Sequence, residues 1–170
     1  MIHIGDKRIL LVAGHYGSGK TEFCINLAID LAEQGIKTAL VDLDIVNPYF
    51  RTREKTQFLE SKGIKVYGNF YKTEITMEIP ALSAEVRTPL EDPTVYTIID
   101  LGGNSAGALV AIQFEKYFVE GTYDFFYVIN KNRPETSTIE GAVNHFHDIE
   151  ERTGLKFTGL INNTHLLRET

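Results

Sequence analysis

The stretch GHYGSGKT, residues 14–21, constrains this chain more than any other. It follows an apolar run, RILLVA (8–13), and opens a segment of helical periodicity, so it stands where a buried strand turns sharply into a helix. Gly14, Gly19, Lys20 and Thr21 fill the fixed positions of the template G-x-x-x-x-G-K-[ST]. Glycines in such a loop let successive backbone N–H groups point inward at an anion. The first turn of the next helix adds unpaired amides and the positive end of its dipole. The loop is therefore expected to cradle phosphate through Gly14, His15, Tyr16, Gly17, Ser18, Gly19, Lys20, Thr21 and Glu22. Lys20 would reach the β- and γ-phosphates and the Thr21 hydroxyl would ligate Mg²⁺. A dinucleotide loop, G-x-G-x-x-G, fails because it requires a third glycine where Glu22 stands.

Five apolar segments read as buried strands: 8–13, 37–44, 94–101, 123–130 and 156–162, with a weaker candidate at 64–70. Helical stretches separate them. Phe23, Cys24, Leu27, Ala28, Leu31 and Ala32 make one face after the loop, with Gly35 as a stop, and further helices are expected around 50–61, 104–119 and 135–151. This alternation predicts an α/β fold with a doubly wound, mainly parallel sheet covered by helices on both faces. Residues 71–93, with Pro80, Pro89 and Pro93, break the rhythm and read as a surface excursion.

In such sheets ligands sit beyond the carboxyl ends of the strands, where this sequence places acids. TIIDLGGN puts Asp100 at the end of a run too apolar to carry a carboxylate without reason, followed by Gly102 and Gly103. That arrangement suits an acid holding a Mg²⁺-bound water beside a backbone able to sense the γ-phosphate. ALVDLD ends in Asp42 and Asp44. At most one of the two is expected to meet the nucleotide, and the later one, Asp44, is favoured.

Taken in order, GHYGSGKT, VDLDIVNP, TIIDLGGN, VINKNRPET and GLINNT resemble the MinD/ParA-type P-loop ATPases, a group that includes the nitrogenase iron protein and other dimeric ATP switches. The resemblance spans nearly the whole chain. It implies ATP or ADP with Mg²⁺ as ligands, with Thr21, Asp44 and Asp100 around the metal. It implies Lys20 and Asp44 as the catalytic pair, Asp44 in switch I positioning the attacking water, Asp100 as the Walker B acid, and Gly102 and Gly103 as switch II. Asn163, with Asn162 beside it, matches the asparagine that hydrogen-bonds adenine. The implied activity is slow ATP hydrolysis that switches a protein partner, with a homodimer as the family's usual assembly. Two departures stand out. Many members place a signature lysine early in the loop and donate it across a dimer, where this chain has His15 followed by Tyr16. Members also usually continue with a further helix and strand, which the expected single domain, 1–170, lacks.

Related chemistries share the cradle. A small-molecule kinase would need an acceptor pocket, for which 71–93 is the candidate. A metallochaperone-type GTPase would need metal ligands, which one cysteine and scattered histidines do not supply. A non-hydrolysing nucleotide-binding module would keep Asp44 remote from the γ-phosphate. NKNR (130–133) begins like a GTPase base motif but lacks its acid, so Asn130 reads as structural. His145 and His147 in NHFHD are two apart on a helix and read as a solvated face. Arg51 in RTREK suits either a partner or γ-phosphate contact or a solvated helical turn. The net charge of −6 argues against broad nucleic-acid binding. No apolar run is long enough to span a membrane, Cys24 lies on an apolar stripe, and a cytoplasmic setting is expected.

Overall fold

In the computed structural model, residues 7–44, 53–68 and 79–164 are described. Six strands form one sheet: β1 (Ile9–Ala13), β2 (Thr38–Asp42), β3 (Lys65–Tyr67), β4 (Tyr96–Asp100), β5 (Tyr123–Ile129) and β6 (Gly159–Asn162). Their spatial order is β3-β2-β4-β1-β5-β6, and every neighbouring pair is parallel. The expected doubly wound α/β architecture is present.

The pleat of β1 explains the two layers. Ile9, Leu11 and Ala13 face a core that includes Val86, Leu90, Phe114 and Ile149, whereas Leu10 and Val12 face Cys24, Leu27, Leu59 and Ile98. Helix α1 (Lys20–Glu33) and helix α2 (Arg53–Ser61) therefore cover one face. Helix α3 (Ile79–Glu91), the short α4 (Ser105–Ala108) with its 3-10 continuation (Leu109–Tyr117), and α5 (Ile139–Thr153) lie on the other. β1 is buried along its whole length, and each fully buried leucine contributes about 2 kcal/mol relative to exposure.

Three expectations are corrected. Residues 79–91 of the supposed excursion form α3, which sends Val86 and Leu90 into the core. Pro80 falls in its first turn, where a missing N–H costs nothing, and Pro89 falls near its end. The last carbonyls find other partners: Arg8 donates to the Pro89 and Leu90 oxygens and the Thr97 hydroxyl to that of Pro89. The stretch 104–119 is mostly 3-10 rather than α-helical. Strand β2 ends at Asp42, so Asp44 lies just beyond it. Arg51 and residues 71–78 lie outside the described residues.

Strand order decides what meets at the carboxyl edge. β4 lies between β1 and β2, pairing Val12 with Asp100 and Asp42 with Asp100. The acids that end β2 and β4 are thereby carried beside the loop that leaves β1.

Candidate functional site

The loop between β1 and α1 turns through an amide of Ser18 donated to the His15 carbonyl at 2.9 Å. Gly17 (φ 74°) and Gly19 (φ 84°) both have left-handed backbone, which side chains rarely adopt and glycine takes freely. Gly19 caps α1 without a side chain, so the amides of the first helical turn open onto the loop. A Cβ at Gly14 would collide with the Val128 carbonyl, so that glycine is fixed by close approach to β5.

Two carboxylates meet the loop's polar side chains. The Lys20 ammonium lies 3.1 Å from Asp44 Oδ2 in a buried ion pair, and the Thr21 hydroxyl donates to Asp100 Oδ2 at 2.5 Å. The backbone secures the acids in turn. The Asp44 amide donates to Asp42 Oδ1 at 3.0 Å, and the Leu43 amide donates to the Asp100 carbonyl at 2.9 Å. Asp42 thus serves as the support of Asp44.

Burial disfavours the charged form of Asp100 and raises its pKa to about 6, against the opposing pull of Lys20 and the Thr21 hydroxyl. Burial alone would lower the Lys20 pKa, but Asp100 and Asp44 outweigh it and hold the ammonium above its ordinary value. Asp100 Oδ1 and Ser18 Oγ are buried without a hydrogen-bond partner. Orphaned oxygens of this kind call for a ligand. A hydroxyl and carboxylates suit a hard cation such as Mg²⁺, which keeps several waters and takes few protein ligands. Among the described residues no group of three or more His, Cys, Asp or Glu side chains is arranged as a metal cage.

Gly102 and Gly103 lie where side chains do not fit. A Cβ on Gly102 would come within 2.6 Å of Gly107 Cα, and one on Gly103 within 2.9 Å of the Tyr16 amide nitrogen. Gly103 therefore lies directly against the backbone of the phosphate loop. Asn104 then caps α4, accepting the Gly107 amide at 2.7 Å.

The outer side of the loop is held from the ends of β5 and β6. Asn163 Nδ2 donates to the Ser18 carbonyl at 2.9 Å, Arg133 Nε to the Gly17 carbonyl at 2.8 Å, and Asn130 Nδ2 to the same oxygen at 3.3 Å. Asn130 is buried and also accepts the Asn132 amide and the Thr136 hydroxyl, which fits its structural reading. Glu22 is exposed on the first turn of α1, and Tyr16 is exposed at the loop's crest. Cys24 is fully buried beneath the loop, as expected.

His145 is not on a solvated face. Its Nδ1 lies 2.7 Å from the Tyr127 hydroxyl, its ring meets that of His15 edge-on at 5.2 Å, and burial together with His15 lowers its pKa. The readable signal was its spacing of four from the fully buried Ile149, which puts both on one helical stripe. His147 does face solvent. His15 itself turns back on its own chain, with Nδ1 3.7 Å from Glu135 Oε2. Arg133 was missed outright, since nothing local marks it as a neighbour of Gly17.

The family model of the CobQ/CobB/MinD/ParA nucleotide binding domain matches residues 9–169. No curated protein matches the chain. Among solved structures, the signal recognition particle receptor FtsY from Elizabethkingia anophelis in complex with GDP is similar at 17% identity and a TM-score of 0.59. That match covers 94% of this chain and 49% of the receptor, so the chain spans about half the receptor's length. A nucleotide-binding protein from Archaeoglobus fulgidus in complex with ADP is similar at 17% identity and TM-score 0.53, with 91% and 65% of the two chains covered. The kinase domain of the Escherichia coli tyrosine kinase ETK is similar at 14% identity and TM-score 0.58, with 95% and 69% covered. At these identities the likeness is one of fold.

Proposed function

The chain belongs to the CobQ/CobB/MinD/ParA nucleotide-binding domain family, and we propose from that premise that it is a Mg²⁺-dependent ATP-binding switch that hydrolyses ATP slowly to control a partner. The observation that carries this reading is the convergence of Lys20, Thr21, Asp44 and Asp100 within hydrogen-bonding reach beside the loop, with an unpartnered Asp100 oxygen among them. Residues 1–170 act in this reading as one nucleotide-binding domain, consistent with a single sheet that holds all six described strands.

The loop amides and the α1 N-terminus receive the β-phosphate, and Lys20 follows the γ-phosphate. Thr21, Asp100 and Asp44 are the residues that would hold Mg²⁺, which when bound neutralises charge on the phosphate oxygens. Asp44, beside the path that Lys20 takes to phosphate, orients a water in line with the γ-phosphorus, and positioning of that kind supplies most of the rate in phosphoryl transfer. Gly103, packed on the Tyr16 backbone, and Gly102, packed on Gly107, transmit the state of the loop to the segment after β4.

Asn163 is the residue proposed to meet the base: it donates one amide N–H to the Ser18 carbonyl, and its oxygen would accept from the N6 amine of adenine. The Archaeoglobus fulgidus relative was solved with ADP, although the FtsY relative carries GDP. Members of this family with similar motifs pair as dimers, and a homodimer or another protein is the partner proposed here. The test is to measure bound nucleotide and phosphate release with Mg-ATP and Mg-GTP side by side. Slow release of phosphate from ATP, with weaker binding of GTP, is expected. Binding of neither nucleotide would overturn the reading.

A further inference from the structure

Asp44 lies just beyond β2 and Asp100 ends β4, both on one side of β1, whereas β5 and β6 lie on its other side. The phosphate loop leaves β1 between these halves. A nucleotide whose terminal phosphate meets the two acids must therefore carry its nucleoside over the ends of β5 and β6.

From that side Arg133 reaches the loop. Its Nε donates to the Gly17 carbonyl at 2.8 Å. Its guanidinium lies flat against Gly17, since a Cβ there would stand 2.5 Å from Nε, 2.6 Å from Cζ and 2.7 Å from Nη2. Only a glycine admits this approach. The seat is fixed from below: the Arg133 amide donates to the Asn130 carbonyl at 3.1 Å, its own carbonyl accepts the Thr136 amide at 3.1 Å, and Pro134 follows. The residue is nonetheless exposed, so a planar cation is held in one place at the rim of the loop. The adjacent Asn163 occupies the next carbonyl, that of Ser18. Peptide carbonyls that turn away from a phosphate nest face its outer rim, where the nucleoside leaves the cradle.

We infer that Arg133 is a nucleoside-binding residue whose guanidinium forms one wall of the base site and stacks on the purine. The inference rests on the nucleotide-binding reading above and adds a contact to it. Stacking by a guanidinium requires only a π-face, so Arg133 supplies affinity for either purine. Arginine suits the position because its Nε can remain on the Gly17 carbonyl while the rest of the plane meets the base.

The test is calorimetric titration of the full chain with Mg-ATP, Mg-GTP and Mg-tripolyphosphate, the last offering phosphates without a nucleoside. Arg133→Ala is expected to weaken ATP and GTP binding by about tenfold each and to leave tripolyphosphate binding unchanged. Arg133→Gln, which retains a donor for the Gly17 carbonyl, is expected to show the same selective loss and covers the case in which the alanine variant does not fold. Unchanged ATP affinity in a folded variant would overturn the inference. So would an equal loss for ATP and tripolyphosphate, which would make Arg133 a brace of the loop only. Wild-type protein that binds tripolyphosphate but neither nucleotide would instead overturn the ATP-binding reading itself.

Discussion

The Lys20 ammonium and the Asp44 carboxylate form a buried ion pair, 3.1 Å apart, beside the phosphate loop. The pair holds the site's mobile cation beside the acid that ends the second strand's run. In the proposed reading a γ-phosphate arriving in the loop competes with Asp44 for Lys20, so nucleotide binding breaks this pair.

Lys20→Ala is expected to abolish tight triphosphate binding, because alanine leaves the cradle without its cation. It also breaks the buried Lys20–Asp44 pair, and removal of one partner from such a pair costs about 3–5 kcal/mol. Calorimetry with Mg-ATP and a thermal melt read the two effects separately. Unchanged affinity in a folded variant would remove Lys20 from the site.

Asp44→Asn is expected to bind ATP at least as tightly as the native protein, since Lys20 no longer has to leave a carboxylate. Turnover should fall by about 10² or more, because an amide retains shape but not the charge that orients or activates water. Single-turnover phosphate release after confirmed loading decides it. Hydrolysis at the native rate would move the role elsewhere.

Asp100 gives the site a pH dependence of definite sign. Its pKa in the folded chain, about 6, lies above the ordinary 3.8, so the folded state holds a proton that the unfolded chain has already released. Stability of the empty protein should therefore fall as pH rises from about 4 through 6, by roughly 3 kcal/mol for a shift of this size. Asp100→Asn removes the buried charge and should raise the melting temperature of the empty protein more at pH 8 than at pH 4.5. If Asp100 holds Mg²⁺ as proposed, the ion and the proton compete for the same carboxylate, and the Mg²⁺-dependent part of ATP affinity should weaken below about pH 6. A melting gain independent of pH would sink the assignment.

Strand-end acids are legible in a sequence because a carboxylate inside an apolar run conflicts with its surroundings, and Asp44 and Asp100 both stand out on that ground. The loop was legible because its glycines and lysine answer to one backbone geometry. Helix α3 was hidden by Pro80 and Pro89: Pro80 falls in the first turn, where a missing N–H costs nothing, and Pro89 falls in the last, while the final carbonyls are satisfied by Arg8, a residue some eighty positions away. Arg133 and His145 were hidden for the same reason. Each becomes a neighbour of the loop only when β5 is set beside β1, a pairing that brings Tyr127 level with Ala13. Local pattern records which residues conflict with their own segment. It does not record which distant segments will meet.

His15 carries the last prediction. The sequence resemblance implies that many family members donate a lysine from this loop position across a dimer, but here His15 packs on His145 of its own chain and sits 3.7 Å from Glu135, with little of its side chain exposed. An imidazole seated in this way does not reach a partner's phosphate. The ATPase rate per molecule should then be low and independent of protein concentration. Restoring the charge alone is insufficient, because the close backbone approach that glycine permits at the next position is blocked by the exposed ring of Tyr16. His15→Lys is therefore expected to change the rate by less than about twofold, whereas His15→Lys combined with Tyr16→Gly should introduce a rate that climbs with concentration. Phosphate release measured over a hundredfold range of protein concentration distinguishes the cases. A native rate that climbs steeply and collapses in His15→Ala would show instead that the histidine itself acts across an interface.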